Sequence, residues 1–301
     1  MAKTLFVDST PEIDRLWQTV RAPGDPEMVI NTKPVVAADL PGLLAGFDIC
    51  ILDAAYLDED TLRACPALRH IVYLGTGAAS CIDLSAAAKL GIKVSTIKGY
   101  GDTTVAEFAM GMVFAAARRI GSMHHLMRSG GWHIMQGIEL RGKRLGIVGL
   151  GGIGREMARL GRGIGLEVIA WNRSVVAASP VPLVSLDELL ARSDVISLHL
   201  ELNDETRGFL DGRKLAQTKP GVIIVNSARS GIVDEAALFA ALRSGQVFHY
   251  ATDVFDPEPL PVASPWRSLD NVTLTCHAGF NTPEAAKTMY RRAIDIVAAS
   301  G

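Results

Sequence analysis

The chain has 301 residues, 49% hydrophobic and 21% charged, which fits a globular protein of about two domains and excludes a disordered or collagen-like chain. Thirty basic residues against thirty-two acidic ones leave a formal charge of −2, so no cationic surplus draws in a nucleic acid or an anionic bilayer. The first twenty residues are charged throughout and lack a leader's apolar stretch, and no apolar run reaches membrane-spanning length, so a cytoplasmic protein is expected.

In chain order, the β-branched runs Thr4–Asp8, Met28–Ile30, Asp48–Asp53 and His70–Leu74 read as strands, separated by helix-like stretches such as Pro11–Val20 and Ser85–Leu90. That alternation implies a parallel sheet. A long helical pattern follows from Thr104 to Arg128, with Asp102 and Thr103 as capping candidates and Ala, Met and Phe on nearly every face. A helix so apolar is expected to be an interdomain spine or a subunit interface. Beyond the polar, glycine-bearing stretch 129–142, strands are expected at Leu145–Val148, Leu166–Trp171, Val195–Leu200, Val222–Val225, Tyr250–Val254 and Val272–Thr275. Helices fit at Ile153–Leu160, after Ser185, after Asp234 and from Pro283 to Ala299. The fold class is α/β, with two doubly wound parallel-sheet domains.

Cys50, Cys65, Cys81 and Cys276 are scattered among apolar or small neighbours, without a C-x-x-C pair, and are read as packing residues. His124, His125 and His133 do not make a metal site. Adjacent histidines on a helix point to different sides, and no carboxylate or cysteine joins them at ligand spacing.

Gly149-x-Gly151-x-x-Gly154 lies between an expected strand and an expected helix, the context in which this motif cradles a dinucleotide pyrophosphate. The helix N-terminus supplies free N–H groups and partial positive charge to that anion. The next strand ends Trp171-Asn172-Arg173-Ser174. No carboxylate stands there for a ribose 2′-hydroxyl, and a guanidinium is available for a 2′-phosphate, so NADP(H) is favoured and NAD(H) stays open.

Ligands of open α/β sheets bind at the carboxyl ends of the strands. Three such ends carry reactive side chains: Arg229 in Asn226-Ser-Ala-Arg229, Glu258 between Pro257 and Pro259, and His277 after Val272–Thr275. Each alone has an ordinary reading, as a surface cation, a turn residue or a capping imidazole. All three at successive strand ends beyond a nucleotide motif suit hydride transfer to a 2-keto acid. A guanidinium fork can hold a carboxylate and polarise a carbonyl, and an imidazolium can protonate the developing alkoxide. A carboxylate bonded to that imidazolium would fix its orientation and stabilise its charge. The turn Leu74-Gly75-Thr76-Gly77 can present backbone N–H groups to an anion, or be a plain glycine turn.

These motifs, with Ser193–Leu200, Thr206–Gly208, Asn226–Gly231 and Asp253–Pro259, resemble the signatures of the D-isomer-specific 2-hydroxyacid dehydrogenase family over almost the whole chain, with glyoxylate and hydroxypyruvate reductases as its nearest type. The resemblance implies a Rossmann cofactor domain, 102–283, inserted in a flavodoxin-like substrate-binding domain, 1–101 and 284–301. It implies His277 as general acid/base, Glu258 as its partner and Arg229 as the substrate clamp. Cofactor contacts would come from Gly149, Gly151, Gly152, Ile153, Gly154, Asn172, Arg173, Ser174, Ser227, Ala228 and Asp253, the last toward the nicotinamide carboxamide. Leu74–Gly77 would hold the substrate carboxylate.

The resemblance also suggests a homodimer. Glu201 stands where the family often has proline, and Ala78–Cys81 departs from the usual pocket rim. The chain's end at Gly301 argues against a long, serine-regulated phosphoglycerate dehydrogenase, and Glu258 against formate dehydrogenase, which carries glutamine there. The rival from another class is a dinucleotide-sensing interaction protein like the corepressors that share this fold.

Overall fold

The computed structural model describes residues 2–174 and 176–300, and the chain divides into two compact units, Met1–Gly101 with Asn281–Gly301, and Asp102–Phe280. In unit 1 the strands are β1 (Thr4–Phe6), β2 (Val29–Ile30), β3 (Ile49–Leu52), β4 (His70–Tyr73) and β5 (Lys93–Thr96). They pair in parallel in the order β2-β1-β3-β4-β5, the doubly wound order of flavodoxin-like sheets. The helices are α1 (Pro11–Gln18), α2 (Leu40–Leu44), α3 (Glu59–Arg63), α4 (Leu84–Lys89) and the last helix of the chain, α11 (Pro283–Ala298).

Strand alternation sends side chains to two cores. Leu5, Cys50, Leu52 and Ile71 pack with residues of α2, α3 and α4, whereas Phe6, Ile49, Ile51 and Val72 pack with Trp17 of α1 and with Met289, Tyr290 and Ile294 of α11. The Trp17 ring sits 5.1 Å from Phe6 and 5.3 Å from Tyr290, and burying each such ring contributes about 2–3 kcal/mol. Thr10, Asp58, Asp83 and Thr282 cap α1, α3, α4 and α11 through their side-chain oxygens.

In unit 2 the strands are β6 (Arg144–Val148), β7 (Glu167–Trp171), β8 (Val195–Leu198), β9 (Val222–Asn226), β10 (Val247–Thr252) and β11 (Val272–Leu274). All pairs are parallel, in the order β11-β10-β9-β8-β6-β7, so the strand order reverses at β6. Helices α5 (Asp102–Arg118) and α7 (Gly152–Gly163) cover one face, and α8 (Leu186–Arg192), α9 (Gly212–Gln217) and α10 (Glu235–Ser244) the other. The remaining helix is α6 (Ile120–Arg128).

The structure corrects three expectations. The helix expected over 104–128 is two helices, because Arg119 adopts a left-handed conformation, φ 51°. Its guanidinium lies 4.9 Å from the centre of the Phe248 ring, a tertiary contact that holds the break open without glycine or proline at the break itself. The buried residues of α5 pack inside its own unit, against α7, β9, β10 and β11, while its Phe114 is exposed, and α6 buries no residue. Asp102 is the first residue of α5 rather than a cap before it. Cys50, Cys65 and Cys81 are buried, but Cys276 is exposed, since it follows β11 where the chain leaves the sheet.

Among the described residues no helix is long and apolar enough to cross a membrane, and no cluster of three potential metal ligands occurs.

At the carboxyl edge of the unit 1 sheet, the Asp8 carboxylate accepts the backbone N–H groups of Asp53, Ala54 and Ala55 at 2.9, 2.7 and 2.7 Å. Asp53 itself is desolvated beside Asp8, and both effects push its carboxyl up to about 6. Because this folded-state value lies above the ordinary 3.8, the folded chain holds the proton to higher pH than the unfolded chain, and ionisation costs stability as pH rises from about 4 past 6. Asp53→Asn is therefore expected to stabilise the protein at pH 7.5 by about 1–2 kcal/mol and to lose that advantage at pH 4. Urea midpoints at the two pH values check this, and a gain that did not depend on pH would reject it.

Candidate active site

The turn between β6 and α7 lies where the strand order reverses, with β7 and β8 on either side of β6. Gly149 has φ 97°, and a Cβ there would lie 2.4 Å from the His199 carbonyl oxygen, so no side chain fits. Gly151 is the residue before α7, and a Cβ built on it meets nothing within 4 Å. Open space thus faces a helix N-terminus, as a bound pyrophosphate requires. Gly154 packs against the Gly149 carbonyl, and Gly152 lies against the Asp102 carboxylate. Ile153 is part-buried on the first turn of α7.

Asn172, after β7, braces this turn. Its Oδ1 accepts from the Leu150 N–H at 2.9 Å and its Nδ2 donates to the Ser174 carbonyl at 2.9 Å. Arg173 and Ser174 are exposed, and the Arg173 guanidinium pairs with Glu205. Glu205 sits on a turn in which Asn203 Oδ1 accepts the N–H groups of Glu205 and Thr206 at 3.0 and 3.1 Å. Thr206 Oγ1 donates to the carbonyl of Glu201, so the position where the family often has proline is tied down by a hydroxyl instead.

The carboxyl ends of the neighbouring strands β9, β10 and β11 carry the reactive side chains. Arg229 is extended and part-buried, and one guanidinium N–H donates to the Ala228 carbonyl at 2.7 Å, which leaves four of its five donors for other acceptors. Ser227 Oγ is buried without a hydrogen-bond partner among the described residues, as a hydroxyl reserved for a bound group would be. With the open space at Gly151, this makes the residues present fit a dinucleotide.

His277 has φ 54°, and its Nδ1 lies 2.6 Å from Glu258 Oε2. The other oxygen of Glu258 accepts the Phe255 N–H at 2.8 Å, which fixes the carboxylate, and Phe280 stands edge-on to the imidazole with centroids 6.2 Å apart. With Nδ1 engaged, Nε2 is the imidazole nitrogen without a hydrogen-bond partner among the described residues.

Asp253 is 2% exposed. Its Oδ1 accepts from Thr275 Oγ1 at 2.7 Å and the Ala278 N–H at 3.0 Å, and its Oδ2 accepts from the Gly279 N–H at 2.8 Å. Sequence reasoning attached Asp253 to the cofactor and did not see this second use. It also missed Asn226, Tyr250 and Glu205. For Asn226 the signal is one amide ending an otherwise apolar strand.

In unit 1 the turn Leu74–Gly77 follows β4. The N–H groups of Leu74 and Gly75 bond the carbonyls of Leu52 and Tyr73 at 2.8 and 2.9 Å. Among the described residues the N–H groups of Thr76 and Gly77 make no backbone hydrogen bond, so they are the donors this turn has to offer. Residues Ala78–Ser80 form a short 3-10 turn behind it.

Residues 110–279 match the family model described as D-isomer specific 2-hydroxyacid dehydrogenase, NAD binding domain. The chain is 36% identical to a hydroxypyruvate reductase of Thermotoga maritima, with 87% of each chain covered. It is 38% identical to a D-3-phosphoglycerate dehydrogenase of Mycobacterium leprae, where 90% of this chain matches 53% of that protein. Its fold superimposes on a glyoxylate reductase from Paecilomyes thermophila with a TM-score of 0.86, at 29% identity, covering 99% of this chain and 95% of that one. The chain belongs to the D-isomer-specific 2-hydroxyacid dehydrogenase family, and it is a nicotinamide-dependent oxidoreductase of that family.

Glu258→Gln keeps an acceptor for Nδ1–H but removes the carboxylate charge beside the imidazole. It is expected to lower kcat by about 10–100-fold while the dissociation constant for the reduced cofactor changes less than about threefold. Steady-state kinetics and fluorescence titration read the two quantities, and unchanged kcat would remove Glu258 from the site.

Proposed function

We propose that the protein reduces a small 2-keto acid, glyoxylate or hydroxypyruvate, to the D-2-hydroxy acid with NADPH as the preferred cofactor. The observation that carries this reading is the 2.6 Å bond between His277 and Glu258, at a strand edge that also bears Arg229 beside a dinucleotide turn. When bound, the reduced nicotinamide supplies the hydride.

In this reading the guanidinium of Arg229 holds the substrate carboxylate and polarises the keto oxygen, where a lysine would lack the planar fork. His277 delivers a proton from Nε2 to the developing alkoxide, and Glu258 keeps the imidazole oriented through Nδ1. The N–H groups of Thr76 and Gly77 take part in holding the carboxylate. Gly149, Gly151, Gly152, Ile153 and Gly154 receive the pyrophosphate at the start of α7, and Ser227 and Ala228 line the cofactor beyond it. Asp253 has used three of roughly four acceptor positions on its carboxylate, and the remaining one is available to a carboxamide N–H. Asp8 and Asp53 support an unphosphorylated substrate, since a second anionic group near the 74–77 turn would approach two carboxyl groups at the same sheet edge.

Arg173, with Asn172 and Ser174 beside it, is the anchor for a 2′-phosphate. Its pairing with Glu205 is between two exposed side chains and is worth at most about 1 kcal/mol, so a dianionic phosphate can displace the carboxylate. NAD(H) remains usable because Glu205 is itself an acceptor for ribose hydroxyls. A cytoplasmic homodimer completes the proposal. Trp132 and Ile134, each 83% exposed in the 129–142 segment, form the kind of apolar surface that a second copy covers.

Loss of NADPH absorbance across a panel of 2-keto acids tests the activity: turnover of glyoxylate or hydroxypyruvate is expected, and silence with every acid and both cofactors would reject it. Arg173→Ala should raise the KM for NADPH about tenfold or more with little change for NADH, and Glu205→Gln should lower the NADPH value. Equal effects on both cofactors would remove the 2′-phosphate role. In sedimentation, Trp132→Ser with Ile134→Ser should shift a dimer toward monomer.

A further inference from the structure

We propose that Asn226 and Asp253 are a pair of positioning residues, Asn226 for Arg229 and Asp253 for His277, and that together they set the geometry between clamp and proton donor. The proposal rests on the reading of Arg229 and His277 given above.

Asn226 is fully buried at the end of β9. Its Nδ2 donates to the Arg229 carbonyl at 2.9 Å and to the Tyr250 hydroxyl at 3.1 Å, and its Oδ1 accepts the Ala228 N–H at 3.0 Å. The amide thus closes the turn that aims Arg229 and ties it to β10. On the neighbouring strand end, the three bonds to Asp253 span Thr275, Ala278 and Gly279, on both sides of His277.

The His277 N–H donates to the Asp253 carbonyl at 2.8 Å, so the residue is gripped from its own backbone as well. The positive φ of His277, unusual for a side chain with a Cβ, persists because these bonds over-determine the turn. A Cβ at Gly279 would lie 3.1 Å from Asp253 Oδ2 and 3.3 Å from Phe108, so the turn is also packed tightly against the carboxylate.

The two holders are joined to each other. Asp253 N–H donates to the Asn226 carbonyl at 3.1 Å. A continuous path therefore runs from the Arg229 carbonyl through the Asn226 side chain and backbone to Asp253 and on to the His277 N–H. Neither holder need touch the substrate, and buried polar groups this fully bonded have little freedom to shift.

The two holders act on different terms of the rate. Asn226→Asp keeps the oxygen that accepts from Ala228 but loses the donors to Arg229 and Tyr250. It is expected to raise the KM for the keto acid about tenfold or more, with kcat falling less. Asp253→Asn keeps the volume but turns an acceptor toward a backbone N–H or the Thr275 hydroxyl into a donor. It is expected to lower kcat about 100-fold with a smaller change in that KM.

Thr275→Val removes the 2.7 Å bond to Asp253, with the longer 3.4 Å contact to the Thr252 carbonyl, and no proposed cofactor contact. It should lower kcat several-fold with the dissociation constant for NADPH unchanged, which separates positioning from any contact of Asp253 with the carboxamide. Should either buried variant fail to fold, as judged by circular dichroism and thermal midpoint, Thr275→Val still decides. If it keeps wild-type kcat, or if the folded variants depress kcat and raise KM in the same proportion, the proposal is overturned. His277→Ala and Arg229→Lys are run alongside. If they retain turnover, the underlying reading has failed, whereas their inactivity beside fully active positioning variants would overturn the pair alone.

Discussion

Parallel pairing of β9, β10 and β11 is the constraint from which the site follows. In a parallel sheet every strand ends at the same edge, so three loops that are distant in sequence leave the core side by side. The apolar runs that drive this pairing, such as Val222–Val225, are buried on both faces and carry no chemistry themselves. They decide only where Arg229, Glu258 and His277 emerge. The chemistry then depends on what turns each loop after it emerges, and this is where polar groups enter the core.

Burying an amide and a carboxylate is costly unless every donor and acceptor is paired. Asn226 and Asp253 come close to that condition, each with three side-chain bonds to backbone and hydroxyl groups rather than to a counter-ion. A backbone partner cannot rotate away as a lysine or arginine side chain can, so the same bonds that offset desolvation also fix the loops. If Asn226 and Asp253 position the site as proposed, stability and catalytic geometry rest on one set of contacts.

Much of the sheet framework was legible because hydrophobic period and β-branched content mark each strand, and the glycine spacing marks the β6–α7 turn by steric necessity at Gly149. What escaped the sequence depends on contacts far along the chain. The break at Arg119 rests on Phe248, the exposure of Cys276 on where β11 stops, and the grip on His277 on a carboxylate 24 positions earlier. β5 was not anticipated because Lys93–Thr96 has no fully buried residue and little apolar content, although it completes the sheet beside β4. The strand Tyr250–Val254 was placed too late for a related reason. The Asp253 N–H makes the closing ladder bond to the Asn226 carbonyl, but the paired strand β10 runs from Val247 to Thr252.

The exposed pair beside the dinucleotide turn and the buried pair at the ends of β9 and β10 differ in how easily they could be altered. Arg173 and Glu205 are exposed, and their pairing is weak and screened by salt, so exchanging either residue costs little stability. Asn226 and Asp253 are buried and each holds three side-chain hydrogen bonds, so exchanging either disturbs several bonds at once. The proposed cofactor-selecting side chains therefore lie where the fold can spare them, and the proposed positioning pair lies where the sheet core enforces its placement.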